Sequence, residues 1–324
     1  MTDSVFKLGT FTRDGAKPFV GLVFGEYAVA LGDLMAVGAT ALPASAAFSM
    51  LDLLEDWNRN FDALVKLAAK AASARHQALS TLKVLAPVPR PSKILCSAAN
   101  YSGHLAEMKK FTSTGSGVEP SKVYAGDKST SQAYLFLKAP SAVTGPYDDI
   151  VLPDNTAHQI DWEAELGVVI GDRARRVSEA DALRHVAGFI VFNDVSCRDV
   201  LFRPDRPNFK TDWLSSKSFD SFAPSGPFLV PRAFVADHKL LHVTLKLNGE
   251  IKQDGLAGDM IYSPEEQIEY ASKMMTLEPG DIFATGTLGG VGQGSGTFLK
   301  PGDVIETEIE GLGCQRNKVV AGRH

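Results

Sequence analysis

The segment Ala86-Pro87-Val88-Pro89-Arg90-Pro91 constrains the fold more than any other stretch of this chain. Proline has no N–H to donate and restricts the residue before it, so no helix and no interior strand can run through. The segment reads as a rigid linker and sets a domain boundary. A small N-terminal α+β domain is expected over residues 1–85 and a larger domain over 86–324. A chain of 324 residues is long enough for that division. Before the boundary, Val5 to Leu8 and Phe19 to Leu31 carry β-formers broken by Gly and Asp, as in short hairpins. Near Phe48 to Ala72 apolar residues recur at helical steps.

Beyond the linker, short β-rich runs dominate: Lys93 to Cys96, Ala133 to Leu137, Leu166 to Ile170, Gly188 to Phe192, Val243 to Leu247, Asp281 to Ala284 and Val304 to Ile309. Two helix starts stand out. Ser178-Glu179-Ala180-Asp181 has the form of a capping box, with Gly188 placed to stop the helix it would open. Ser263-Pro264-Glu265-Glu266 offers an N-cap, a proline at the first helical position and an acid at the third. Strands outnumber helices and do not alternate with them regularly, which argues for a β-rich α+β fold and against a doubly wound parallel sheet. Residues 109–133 form the one long polar stretch, expected to be functional or disordered.

The formal net charge of −5 argues against broad nucleic-acid binding. The first nine residues do not read as a signal peptide, and no apolar run is long enough for a membrane span. Cys96, Cys197 and Cys314 are scattered without a CxxC pair, as free thiols of a reducing compartment would be, so the expected location is the cytoplasm.

The chemistry concentrates in Asp161-Trp162-Glu163-Ala164-Glu165, which leads into an apolar run. Side chains two apart on a strand face the same way, so Glu163 and Glu165 would present two carboxylates together. A lone ExE is more often an exposed strand edge, but the flanking run reads as a buried strand. Two buried like charges need a cation or a proton. Asp194, at the end of the apolar run Phe189 to Asn193, is a candidate third ligand; the bland alternative is a turn-forming Asn-Asp pair. Spacing alone does not link it to the glutamates. If the three converge, the oxygen-rich site suits a hard divalent ion better than zinc. His104 and Glu107 are neighbours on a helix surface, where the Glu would orient the ring and favour the imidazolium, although such pairs are common by chance. Arg198 and Lys217 could hold a carboxylate or a developing enolate, or be ordinary surface charge. The stretch Thr285 to Gly294 does not fit GxGxxG; it reads as a tight loop where backbone approaches a ligand or turns sharply.

Taken in order, Lys93-Ile94-Leu95-Cys96, Asn100-Tyr101 with His104-x-x-Glu107-Met108, Phe136-Leu137-Lys138, Asp161 to Leu166, Asn193-Asp194 with Arg198-Asp199, Lys217-Ser218-Phe219-Asp220, Gly226-Pro227, Asn248-Gly249-Glu250, Asp259-Met260-Ile261, Leu277 to Asp281, Thr285-Gly286-Thr287 and Lys300 to Asp303 resemble the fumarylacetoacetate hydrolase catalytic domain. The resemblance implies a mixed β-sandwich roll, usually a homodimer. It implies Mg²⁺ or Mn²⁺ (or Ca²⁺) at Glu163, Glu165 and Asp194, and a water-activating dyad of His104 and Glu107. It further implies Lys217 as stabiliser of an enolate, and Arg198, Thr287 and Tyr101 around the substrate. The implied activity is hydrolysis of a C–C bond in a small anionic 2-oxo or 1,3-dicarbonyl acid of the acylpyruvate or fumarylpyruvate type, as in the breakdown of aromatic compounds. Decarboxylases, hydratases and isomerases of related acids share the scaffold, and a non-catalytic binding relic is the remote alternative. Leu201 and Leu288 stand where relatives often carry Gln and Pro, and the 109–133 stretch is expected to act as a lid.

Overall fold

A computed structural model describes residues 5–322, apart from 14, 39, 113–127, 129–130, 154–158 and 210, with backbone only over 108–112. The N-terminal portion forms a five-stranded antiparallel sheet in the order His76–Ala78, Tyr27–Ala30, Phe19–Phe24, Lys7–Thr12 and Lys83–Leu85. Phe24 pairs with Tyr27 across the two-residue turn Gly25-Glu26, and Gly25 takes the positive φ that such a hairpin turn requires. The helix expected over 48–72 is two helices, Met50–Leu54 and Trp57–Ala68. Ser49 accepts from Asp52 N and caps the first, and the chain restarts at Asp56. The second keeps the apolar stripe that the spacing foretold, with Trp57, Leu64, Leu67 and Ala68 buried.

Among the described residues the larger portion contains two two-stranded sheets and two large ones. One has six strands in the order Val230–Pro231, Val186–Asn193, Ala164–Ile170, Ile282–Thr287, Ile94–Ser97 and Leu135–Lys138, with only the fourth and fifth parallel. The other runs Glu250–Leu256, His242–Leu247, Val304–Ile309, Gly313–Ala321 and Ile150–Leu152. Its strand His242–Leu247 alternates buried and half-buried residues, the signature of one face on the core. Ala164–Ile170 and Val186–Asn193 are buried on both faces, one of them against the second sheet. This β-rich α+β architecture is the one expected. Leu8 and Leu22 of the N-terminal sheet share one continuous core with Trp162, Phe189, Val243 and Ile305. Leu8 and Leu229 exchange backbone hydrogen bonds at 2.8 Å, joining the two portions.

Three local expectations need correction. Ser178 forms no capping box; its hydroxyl donates to Asp181 Oδ2 and only a four-residue helix, Glu179–Ala182, comes after it. Gly188 stops no helix but lies inside a strand, where a Cβ would fall 2.1 Å from Val230 O. Residues 109–112 belong to the helix Ser102–Thr112, and most of the rest of the expected lid lies outside the described residues. Ser263, in contrast, completes its capping box with Glu266. Among the described residues no helix is long and apolar enough to cross a membrane. Cys96 and Cys197 are buried and Cys314 is half-buried.

Candidate functional site

Strand pairing does what spacing could not. The antiparallel register sets Ala164 opposite Asn193, which carries Glu163 to the side of Asp194 at the same sheet end. Asp194 N donates to Glu163 O at 2.9 Å, and Glu163 N donates to Asn193 Oδ1 at 3.0 Å. Carboxylate oxygens of Glu163, Glu165 and Asp194 all lie within 4.8 Å of one another, and all three residues are buried.

Cations and backbone donors surround them. Lys217, at the end of the helix Trp213–Lys217, donates from Nζ to Glu163 Oε2 at 2.7 Å and to Asp194 Oδ2 at 2.6 Å. Lys138 donates to Asp194 Oδ1 at 2.6 Å and to Val195 O at 2.9 Å. Arg198 donates from Nε to Asp161 Oδ2 at 2.9 Å and from Nη2 to Glu163 Oε1. Glu165 Oε2 receives Gly286 N at 2.8 Å, with no lysine or arginine bonded to it among the described residues. These contacts set the charge states. Burial pushes the Glu163 carboxyl upward, but the charges of Lys217 and Arg198 outweigh it and hold the group well below the usual carboxylate range. Glu165 is pushed well upward by burial and by the charges of Asp194 and Glu163. Burial opposes the Lys217 ammonium, yet Asp194 and Glu163 keep it firmly charged. Lys138 is lowered by burial, with Asp194 pulling it back.

Four buried carboxylates, those of Asp161, Glu163, Glu165 and Asp194, face three buried cations, Lys138, Arg198 and Lys217. Counted as ions they leave one negative charge in excess, and without a metal a proton on Glu165 takes it up, since that carboxyl is pushed well upward. Three converging oxygen donors with uncompensated charge fit a hard divalent cation, and Glu163, Glu165 and Asp194 are the residues that would hold it. With such an ion the site would carry one net positive charge, suited to an acid.

His104 is buried on the helix Ser102–Thr112, with Nδ1 lacking a hydrogen-bond partner among the described residues. Burial lowers its pKa to about 4; Glu163 pulls upward, and Arg198 and Lys217 push down. The expectation that a neighbouring Glu favours the imidazolium is thus corrected: desolvation dominates and the ring is neutral. Glu107 turns to the glycine-rich loop, where Gly290 N donates to both its oxygens at 2.8 and 2.9 Å. Gly290 has φ near +95°, and a Cβ there would lie 1.8 Å from Lys252 O, so only glycine can present this N–H. The Tyr101 hydroxyl donates to Ala257 O at 3.1 Å and braces the segment before Met260. Thr287 Oγ1 donates to Ala164 O and accepts from Gln253 Nε2, both at 2.8 Å, so it could meet a substrate only as an acceptor.

Two residues at the centre went unassigned by sequence reasoning. Asp161 had a signal: it begins the alternation Asp161, Glu163, Glu165 in the sequence, although it ends the short strand Ile160–Asp161 and Glu165 lies on the next one. Lys138 had none, because a lysine ending a strand reads as a solvated edge charge.

The six-stranded sheet with a buried tricarboxylate at one end defines a protein of the oxygen-donor metal-site class. A profile of the fumarylacetoacetate (FAA) hydrolase C-terminal domain matches residues 93–320. The chain is 38% identical over 263 residues to the human mitochondrial oxaloacetate tautomerase FAHD2A, covering 80% of this chain and 77% of that one. Among solved structures it resembles a fumarylacetoacetate hydrolase from Exiguobacterium antarcticum, with a TM-score of 0.75, 28% identity, and 98% and 100% of the two chains covered. It also resembles a maleylpyruvate hydrolase from Sphingobium sp. SYK-6 in complex with manganese(II) and pyruvate, with a TM-score of 0.72, 26% identity and the same coverage. The chain belongs to the fumarylacetoacetate hydrolase family.

Proposed function

We propose that this protein interconverts the keto and enol forms of a small 2-oxo acid of the oxaloacetate type, using Mg²⁺ or Mn²⁺ bound by Glu163, Glu165 and Asp194. The observation that carries this reading is the buried cluster of four carboxylates and three cations, whose one excess negative charge a divalent ion would reverse. The tautomerase named above, at 38% identity over most of both chains, supports the substrate class. When bound, the ion would polarise the 2-oxo group and acidify the adjacent C–H. Neutral His104 takes that proton from carbon; the C–H electron pair becomes the new C=C bond, and the same proton returns to the oxygen. The Lys217 ammonium, kept charged by its carboxylates, stabilises the negative charge that develops on oxygen. Arg198 receives the substrate carboxylate.

Hydrolysis of a C–C bond in an acylpyruvate is the second reading. His104 is neutral with Nδ1 unpartnered among the described residues, as a group activating water must be. The two are separated by following enol absorbance and products for oxaloacetate and an acylpyruvate, with Mg²⁺, Mn²⁺ or EDTA. Metal-dependent loss of oxaloacetate enol without cleavage supports the tautomerase. Cleavage of the acylpyruvate to two acids, with no effect on oxaloacetate, replaces it with the hydrolase.

A further inference from the structure

The end of the strand Ile282–Thr287 and the glycine-rich loop after it donate backbone N–H groups to three different carboxylates. Gly286 N reaches Glu165, Gly290 N reaches Glu107, and Gly292 N and Gln293 N reach Asp161 at 2.6 and 3.0 Å. Asp161 is fully buried and also accepts from Trp162 N at 2.8 Å and Arg198 Nε at 2.9 Å. Arg198 Nη2 lies 2.9 Å from the same Asp161 oxygen and also bonds Glu163. The Nε–Nη2 edge of the guanidinium is therefore engaged by protein, and Nη1 has no protein partner among the described residues. A guanidinium is planar, so fixing one edge fixes where the remaining N–H groups point.

We propose that Asp161 is a positioning residue acting through Arg198. Clamped between the glycine-rich loop and the guanidinium, it aims Nη1 at the carboxylate of the substrate. It touches neither the substrate nor the metal triad. A role in charge balance alone would be met by any carboxylate at this position; a positioning role would not, because a side chain longer by one methylene would turn the arginine. The inference rests on Arg198 as the substrate-carboxylate residue, so its test reads binding of a small dicarboxylate as well as turnover.

The experiment compares Asp161→Asn, Asp161→Glu, Arg198→Lys and the double variant Asp161→Asn/Arg198→Lys as Mn²⁺-loaded protein. The measurements are oxalate affinity and Mn²⁺ affinity by calorimetry, and KM and kcat on oxaloacetate. Loss of one aimed charge-assisted hydrogen bond should weaken oxalate binding and raise KM by about 10-fold in each single variant, with kcat and Mn²⁺ affinity much less affected. In the Arg198→Lys background the Asp161 change should add almost nothing. Fully additive losses, or wild-type oxalate affinity in folded Asp161→Asn, would overturn the proposal. If Asp161→Asn does not yield folded protein, Asp161→Glu decides: unchanged oxalate affinity refutes positioning. Absence of oxaloacetate turnover by the unmodified protein would sink the tautomerase reading alone, because the oxalate measurement stands without it.

Discussion

In the N-terminal sheet, Leu8, Phe11, Val20, Leu22 and Val29 are fully buried, and the buried Thr10 hydroxyl is satisfied by Pro87 O at 2.8 Å. At the end of the six-stranded sheet, burial instead encloses Asp161, Glu163, Glu165, Asp194, Lys138, Arg198 and Lys217. The first region gains free energy for each apolar surface removed from water. The second loses hydration at each charge and recovers it only through pairing. One region holds the chain together, while the other is held by the chain. Substitutions should therefore separate stability from function, and the sign of their effects tests the contrast.

The largest effect is expected at Glu165, the carboxyl that takes up a proton when no metal is bound. Glu165→Gln should reduce activity and Mn²⁺ affinity by more than about 100-fold, the upper end of what residues supporting a metal site lose. In EDTA the same variant should be more stable than the parent by roughly 1 kcal/mol, since folding no longer has to protonate a buried carboxyl. A lower melting temperature in EDTA would break the contrast. Leu22→Ala should behave in the opposite way. It leaves a cavity in the apolar core and should cost about 2–5 kcal/mol in urea unfolding, while kcat/KM of the folded fraction stays at the parent value.

Much of this contrast is legible in the sequence, for reasons that differ between the regions. Apolar runs such as Phe189 to Phe192 and Val304 to Ile309 announce strands because their periodicity is local. The single helix read over 48–72 fails at residues 55–56, where a side-chain cap at Ser49 and a restart at Asp56 override a continuous apolar pattern. The acids of the site are local too, as an alternation of Asp161, Glu163 and Glu165. Their union with Asp194 depends on the register of two strands about 30 residues apart, which no spacing encodes. The backbone donors of Gly286, Gly290 and Gly292 are further from view: sequence reveals a glycine-rich turn but not which carboxylates it will meet.

The pH dependence sharpens the contrast within the site. His104 titrates near 4 in the folded protein against an ordinary 6.5, chiefly because burial disfavours its cation. Between those values the unfolded chain holds a proton that the folded protein refuses, so stability falls as pH drops through this window. The loss from this one group should approach roughly 3 kcal/mol below pH 4. Urea midpoints in EDTA at neutral and mildly acid pH should therefore converge between the parent and His104→Asn as pH falls. Parallel curves would show that the imidazole is not desolvated.

The smallest effect is expected at Thr10, where the apolar region borrows a polar bond. Thr10→Val keeps the shape of the side chain but leaves the carbonyl of Pro87 without the hydroxyl it accepts. A net loss of about 1 kcal/mol is expected from one hydrogen bond broken on one side. That bond ties the strand Lys7–Thr12 to the proline segment, so the loss should appear in unfolding and leave KM and kcat unchanged. If turnover fell with it, the N-terminal sheet would be helping to set the geometry of the carboxylate centre through the proline segment, and the division between a region that holds and a region that is held would fail where the two portions of the chain join.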